Sequence, residues 1–91
     1  MKLMKPSSYQ EVTTIADQLM NNCAVVMNLE NTNKETAANL IYFLSGVIYA
    51  INGHMKPVSE DTYMLAPSNM EIAEESTSAA SSTEGLDAYG Y

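Results

Sequence analysis

Apolar and polar positions along the chain follow first the period of a strand and then that of a helix. Residues 1–5 alternate apolar side chains with lysine, which predicts a short first strand. Apolar residues then recur at helical spacing over residues 12–20, behind a capping-box pattern formed by Ser8 and Glu11. Asn21-Asn22 is expected to end this first helix, because asparagine tolerates the left-handed backbone conformation.

The middle of the chain predicts a central strand followed by a long helix. Residues 23–29 form an apolar run, broken only by Asn28, that is typical of a strand covered on both faces. A second capping-box pattern, Thr32 with Glu35, predicts the start of the helix. Gly53 is expected to end it in the left-handed conformation.

A hairpin is predicted after the long helix. Residues 55–58 and 62–66 are expected to pair as antiparallel strands around a turn, and residues 70–72 to add a final edge pairing. The resulting order, β-α-β-α-β-β, predicts an α/β two-layer sandwich with two helices on a small mixed sheet. Residues 1–72 would form this single domain, whereas the acidic, Ser/Ala-rich residues 73–91 are expected to be disordered.

The long helix has two uncharged faces, and both are expected to be covered. One face is predicted to pack on the chain's own sheet and comprises Leu40, Phe43, Leu44, Val47, Ile48 and Ile51. The other is predicted to contact a second copy of the chain and comprises Ala38, Tyr42, Ser45, Gly46 and Tyr49. Glycine in mid-helix costs about 1 kcal/mol relative to alanine, and close approach of a partner helix would explain Gly46.

The predicted sheet gives a second reason to expect self-association. A central strand covered on both faces needs material on both sides, but the two helices of so small a unit are expected on one side. Sheet-to-sheet contact between subunits would supply the missing cover. Two different self-contacts in one subunit would build a dimer, and by repetition filaments or rings.

Composition and charge narrow the function classes. The net charge is −7 and the four basic residues are all lysine, so there is no phosphate-binding patch and nucleic acid is not an expected partner. Residues 36–55 carry no charged side chain, but polar residues such as Asn39 and Ser45 exclude a membrane span there. Because Cys23 is the only cysteine, no internal disulfide can form, and a buried thiol in a reducing, cytoplasmic setting is expected.

Candidate catalytic and metal-binding groups are few. His54, the only histidine, follows the predicted helix end, where capping of the helix C-terminus is favoured over general-base chemistry. Cys23 and His54 alone cannot form a zinc site within one chain, and Glu60-Asp61 is typical of a solvated turn. The sequence therefore predicts no enzyme activity, no metal and no cofactor.

The predicted hairpin is rich in methionine and aromatic side chains, and two interpretations stay open. Met55 and Met64 alternate with Tyr63 and Leu65 and would fill a small core. The same flexible side chains, with Tyr63 partly exposed and Lys56 nearby, would instead form a groove for an apolar, acidic peptide.

Five segments in collinear order carry a resemblance to a known family. They are Lys5-Pro-Ser-Ser-Tyr9, Ile15-Ala-Asp-Gln-Leu19, Ala24-Val-Val-Met-Asn-Leu29, Phe43-Leu-Ser-Gly-Val-Ile-Tyr-Ala-Ile-Asn-Gly53 and Asp61-Thr-Tyr-Met-Leu-Ala-Pro-Ser-Asn-Met70. Residues 1–72 thereby resemble the core of SepF, a family of bacterial cell-division proteins. The resemblance implies a non-enzymatic adaptor at the division septum that dimerises or polymerises and binds the C-terminal peptide of the tubulin-like protein FtsZ.

The resemblance also implies a membrane anchor and site residues. Family members anchor FtsZ filaments through an N-terminal amphipathic helix; this sequence begins at the core, so membrane contact is expected only through an anchor absent from this chain. The family's peptide-binding aromatic corresponds to Tyr63. Pro57 replaces a common basic residue, which leaves Lys56 as the nearest cation, with an orientation to the opposite face left open. The position of Gly46 is associated with self-assembly. The predicted peptide site is Met55, Lys56, Tyr63 and Leu65.

A second class of function stays open from the sequence. It is a regulatory α/β module that acts as a dimer and binds a small molecule at the subunit interface. A thermal-shift screen of metabolites distinguishes the two classes, because a bound metabolite would raise the melting temperature of such a module.

Overall fold

The computed structural model describes residues 1–68, which form four strands, two α-helices and a 3-10 turn. Their bounds are β1 Lys2–Met4, the 3-10 turn Tyr9–Glu11, α1 Val12–Met20, β2 Val25–Asn28, α2 Lys34–Ala50, β3 His54–Ser59 and β4 Thr62–Ala66. The predicted element order and the two-layer α/β fold are confirmed. The edge pairing predicted for residues 70–72 and the tail at 73–91 lie outside the described residues.

The sheet is mixed and has the strand order β1-β2-β4-β3. β1 runs parallel to β2, and β4 runs antiparallel to both β2 and β3. The second strand of the hairpin, rather than the first, therefore pairs with β2. As predicted, β2 is central, and β1 and β3 form the two edges of the described sheet.

Both helices contribute to one hydrophobic core against a single face of the sheet. The buried side chains of this core include Val12, Ile15, Leu19, Val25, Met27, Leu40, Leu44, Ile48, Met55 and Leu65. Burial alternates along β2, because Val25 and Met27 are buried whereas Val26 and Asn28 are half-buried. The second face of β2 is thus less covered than its apolar run predicts.

The inner face of α2 is narrower than its sequence predicts. Leu40, Leu44 and Ile48 are buried, in agreement with the predicted core side. The sequence predicts Phe43 there as well, but Phe43 is 38% exposed and packs edge to face on Tyr9, with 6.2 Å between the ring centroids. The 3-10 turn lies against α2, and this aromatic contact stabilises the outward position of Phe43.

Asn33, not Thr32, caps the N-terminus of α2. Asn33 has an extended backbone, and its Oδ1 accepts a hydrogen bond from the N–H of Thr36 at 2.7 Å. The Thr32 hydroxyl instead donates to the backbone oxygen of Leu29, also at 2.7 Å. The predicted pairing of Thr32 with Glu35 was therefore wrong by one residue, because Thr32 belongs to the turn that follows β2.

Asparagine supplies the left-handed conformation at both helix C-termini. After α1, Asn22 has a φ of 66°, which agrees with the prediction for Asn21-Asn22. After α2, the left-handed residue is Asn52, with a φ of 58°, so the assignment of that conformation to Gly53 was wrong. Gly53 is needed for a different reason, the close approach of β4.

The N-terminus of the first helical segment depends on Glu11. Its carboxylate accepts hydrogen bonds from the backbone N–H groups of Ser7 and Ser8, at 3.0 and 3.2 Å. The bond from the Ser7 backbone is the largest cause that holds the pKa of Glu11 below its ordinary value, and Ser7 and Ser8 hydroxyls act in the same direction against a smaller desolvation effect. The predicted interaction of Ser8 with Glu11 is present.

We expect Glu11→Gln to lower stability at neutral pH but not in acid. A carboxyl group with a lowered folded-state pKa stabilises the fold above its unfolded pKa, and this stabilisation is lost as the pH falls through the folded pKa. Urea unfolding at neutral pH and at about pH 3 would measure the difference between variant and parent. Glu60→Gln, in the hairpin turn, is the control; an equal, pH-independent loss in both variants would contradict the prediction.

Candidate interaction surfaces

Among residues 1–68, the structure brings together no set of His, Cys, Asp and Glu side chains that could hold a metal ion. Cys23 is half-buried rather than fully buried as predicted, and its Sγ lies 3.8 Å from the backbone oxygen of Asn21, to which it donates. His54 is the first residue of β3 and does not extend α2. None of the described helices is long and apolar enough to span a bilayer.

The outer side of α2 carries an exposed, uncharged stripe. Tyr42 and Tyr49 are 75% and 69% exposed, and a Cβ built on Gly46 would meet no atom within 4 Å. The exposed residues recur every three or four positions, as one face of a helix requires. This α2 stripe comprises Asn39, Tyr42, Phe43, Gly46, Tyr49 and Ala50.

The α2 stripe overlaps the predicted self-association face but is not identical to it. Tyr42, Gly46 and Tyr49 belong to both, whereas Ala38 and Ser45 are half-buried and border the stripe. Sequence reasoning missed Phe43, whose exposure moves the surface towards the 3-10 turn. No local signal could have shown this, because the ring that Phe43 contacts, Tyr9, is distant in sequence.

A second surface is the sheet face that points away from the helices. Side chains alternate across a sheet, so neighbours of the core residues along each strand point to this side. Leu3 is paired with Val26, Val26 with Met64, and Met64 with Lys56, which gives a row across all four strands. This open sheet face comprises Leu3, Val26, Asn28, His54, Lys56, Thr62 and Met64. Ala66 has the same orientation but is buried.

The open sheet face is apolar on its β1 side and polar where β2 ends. Leu3 is 67% exposed, and Val26 and Met64 are half-buried. Asn28 Nδ2 donates to the hydroxyl of Thr62 at 3.0 Å across the pair of central strands. The sequence predicted an uncovered sheet face in general but could not name its members, because the order of the strands was unknown.

The structure separates the four residues of the predicted peptide site. Met55 is 5% exposed and Leu65 is fully buried, and both lie in the core. Tyr63 is half-buried and packs against the same core, so it shares the helix side of the sheet with them. Lys56 points to the opposite side. Next to Tyr63, the sequence had not singled out Val58, which is 50% exposed at a bulge in β3.

The architecture defines the class of the protein as a small two-layer α/β domain, and solved structures share this fold. A SepF-like protein from Archaeoglobus fulgidus superposes with a TM-score of 0.75 at 16% identity, covering 81% of this chain and 92% of that one. A SepF-like protein from Pyrococcus furiosus gives a TM-score of 0.70 at 18% identity, with 79% and 90% covered. At such low identity the likeness concerns the fold alone.

Sequence comparison then identifies the family. A family model described as Cell division protein SepF matches residues 1–72. The chain is 41% identical over 73 residues to a Cell division protein SepF of Heliobacterium modesticaldum, covering 80% of this chain and 45% of that protein. It is 34% identical over 85 residues to one of Clostridium botulinum, covering 93% and 57%. The chain belongs to the SepF family of cell division proteins and spans about half the length of these relatives.

Proposed function

We propose that this chain is a cytoplasmic division adaptor that self-associates and binds the C-terminal peptide of FtsZ, and so aligns or tethers FtsZ filaments at the septum. Membership of a family of cell division proteins supports the cellular role. The observation that carries the proposal of self-association is the exposed, uncharged surface of α2. In a monomeric domain, the outer face of a helix normally exposes charged side chains to the solvent.

Self-association through the α2 stripe is the first element of this function. Tyr42 and Tyr49 offer large, rigid apolar areas, and Gly46 between them leaves room for a partner backbone. A helix that contributes the same stripe from a second copy would cover both tyrosines in a symmetric contact. Ala38 and Ser45, at the border of the stripe, would form the rim of that contact.

Binding of the FtsZ peptide at the hairpin is the second element. Tyr63 lies opposite Pro57 in the β3–β4 ladder, and the adjacent Val58 is exposed, so the three would form an apolar ledge. Met55 and Leu65 lie in the core behind this ledge and would support Tyr63 rather than contact the peptide. Lys56, on the edge strand, would add a positive charge at the rim for an acidic peptide.

Two linked copies would strengthen a weak peptide contact. A dimer presents two hairpins, and FtsZ filaments present many tails. Once one tail is bound, the second binds at a raised effective concentration, so a modest single-site affinity suffices for filament alignment.

Titration of a labelled FtsZ tail peptide tests the hairpin site. We expect Tyr63→Ala to weaken binding about tenfold, because loss of a central aromatic contact commonly exceeds 1 kcal/mol. Tyr63→Phe should retain most of the affinity, since the ring is kept. Met20→Ala, which removes an exposed apolar side chain from α1, outside the hairpin, is the control.

Circular dichroism and thermal melts of each variant separate lost binding from lost folding. If Tyr63→Ala stays folded and binds the peptide as tightly as Met20→Ala, the hairpin is not the site. If neither the parent chain nor any variant binds the peptide, FtsZ binding itself is refuted.

A further inference from the structure

The sequence contains one Asn-Gly pair, Asn52-Gly53, which lies just after α2. In such a pair the backbone nitrogen of the glycine can attack the side-chain carbonyl carbon of the asparagine, because glycine has no side chain to hinder the approach. Asn52 is exposed to water, whereas Gly53 is half-buried. The pair is therefore chemically able to deamidate, and the helix end decides whether the reacting atoms can meet.

Two features of the fold keep the reacting atoms of Asn52 and Gly53 apart. Asn52 has a φ of 58°, and the left-handed conformation, with a ψ of about 47°, places Cβ nearly anti to the next backbone nitrogen about the Cα–C bond. The Cγ of Asn52 is thus held away from the nitrogen of Gly53. That nitrogen also donates its hydrogen to the backbone oxygen of Ile48 at 2.8 Å, so the proton that must leave is held in a hydrogen bond.

The neighbouring strand prevents a simple rearrangement of this helix end. Rotation about the Cα–C bond of Asn52 would break the hydrogen bond to Ile48 and move Gly53. Gly53 is held close to β4, because a Cβ built on it would lie 2.5 Å from the backbone oxygen of Ala66. The reaction therefore requires the last turn of α2 to open first, and a helix end opens at a lower free energy than the core.

We propose that Asn52 is a deamidation site that the folded end of α2 protects, so that it is modified only in molecules in which this end has opened. There the backbone nitrogen of Gly53 loses its proton and bonds to Cγ of Asn52. The bond from Cγ to the amide nitrogen breaks, and ammonia leaves with that proton. Water then opens the five-membered succinimide. Cleavage between the ring nitrogen and Cγ gives aspartate, and cleavage between the nitrogen and the main-chain carbonyl carbon gives isoaspartate.

Neither product restores the helix end. Isoaspartate adds one carbon atom to the main chain between residue 52 and Gly53, so the hydrogen bond to Ile48 and the close fit against Ala66 cannot both form again. Aspartate keeps the main-chain length but places a negative charge at the helix C-terminus, where the helix dipole disfavours it. A molecule that has opened and reacted therefore stays less stable. This inference depends on neither self-association nor FtsZ binding.

Mass spectrometry of the full chain, incubated at mildly alkaline pH with and without unfolding urea, tests the protection. We expect conversion of Asn52 to be at least about tenfold slower in the folded chain than in urea, because only opened molecules react. Methylation by an isoaspartyl methyltransferase detects the isoaspartate that forms. A synthetic peptide of residues 49–56, too short to fold as a helix, should react at the unfolded rate in both solutions.

Asn52→Gly is the matched variant, because glycine keeps the left-handed conformation and removes the reactive amide. It should fold like the parent and show no methylation above the level of the unincubated chain. Equal rates for the folded and the unfolded parent would overturn the protection. Undiminished methylation of Asn52→Gly would assign the reaction to another asparagine and overturn the site.

The stability of the converted chain tests the consequence. Parent chain that has reacted in urea and been returned to buffer should unfold at a lower urea concentration than unreacted chain taken through the same steps without the incubation. Equal midpoints for the two samples would overturn the predicted loss of stability.

Discussion

Gly53→Ala is expected to destabilise the fold by about 1–3 kcal/mol, although it adds only one methyl group. A Cβ at this position would lie 2.5 Å from the backbone oxygen of Ala66, 3.2 Å from Ile48 Cδ1 and 3.4 Å from Ile51 Cγ1. The closest atom belongs to the backbone of β4, which is paired on both sides and cannot move without disturbing the sheet. Relief would require separation of α2 from the sheet.

Gly46→Ala is the matched control, because it makes the same chemical change where there is space. Apart from the adjacent backbone of α2 itself, no atom lies within 4 Å of a Cβ built on Gly46. Alanine should therefore stabilise the helix by up to about 1 kcal/mol. Urea unfolding followed by circular dichroism, at protein concentrations low enough to keep the chain monomeric, would show midpoints that move in opposite directions. Midpoints that move together would contradict the close approach at Gly53.

Gly53 shows which part of the fold can be predicted from the sequence and which cannot. Asn52-Gly53 correctly marks the end of α2, because both residues are typical of helix C-termini. The sequence could not assign the roles, since the need for glycine comes from Ala66, which approaches only after β4 has paired in the sheet. Helix-ending residues in the local sequence therefore determine where α2 ends, whereas the contact with Ala66 requires glycine at position 53.

The same division holds for the long helix. The four-residue spacing of Leu40, Leu44 and Ile48 is sufficient to orient α2 on the sheet. The position of Phe43 at the margin depends on Tyr9, which the 3-10 turn brings against α2. Helical periodicity locates a face to within one residue on either side, and contacts with distant segments decide the marginal positions.

The predicted peptide site shows where sequence reasoning was weakest. Tyr63 and Lys56 lie near each other in the hairpin, but they point to opposite sides of the sheet. Alternation along each strand was predictable, whereas the side that faces the helices depends on strand order, which the sequence did not reveal. Of the two interpretations of the methionine-rich hairpin, core filling holds for Met55, whereas Met64 lies on the open sheet face; the peptide groove stays a prediction.

Gly46→Lys is expected to abolish self-association and leave the folded monomer intact. The residue is exposed in the centre of the α2 stripe, between Tyr42 and Tyr49, so a lysine side chain can extend into water in the monomer. In a complex of two stripes it would lie at the contact, where an unpaired charge loses its hydration and faces the same charge on the partner. The dissociation constant should rise at least about a hundredfold, which corresponds to about 2.8 kcal/mol.

Thr14→Lys separates this effect from a simple change in net charge. Thr14 is exposed on α1 outside the stripe, and its replacement raises the net charge by the same amount as Gly46→Lys. Sedimentation velocity across a concentration series should show a monomer for Gly46→Lys and assembly like that of the parent chain for Thr14→Lys, with matching circular dichroism spectra.

Two outcomes would contradict the prediction. If Gly46→Lys assembles as the parent does, the α2 stripe is not the contact. If the parent chain stays monomeric at every concentration, self-association itself is refuted. A residual dimer of Gly46→Lys would show that a surface other than the α2 stripe also associates.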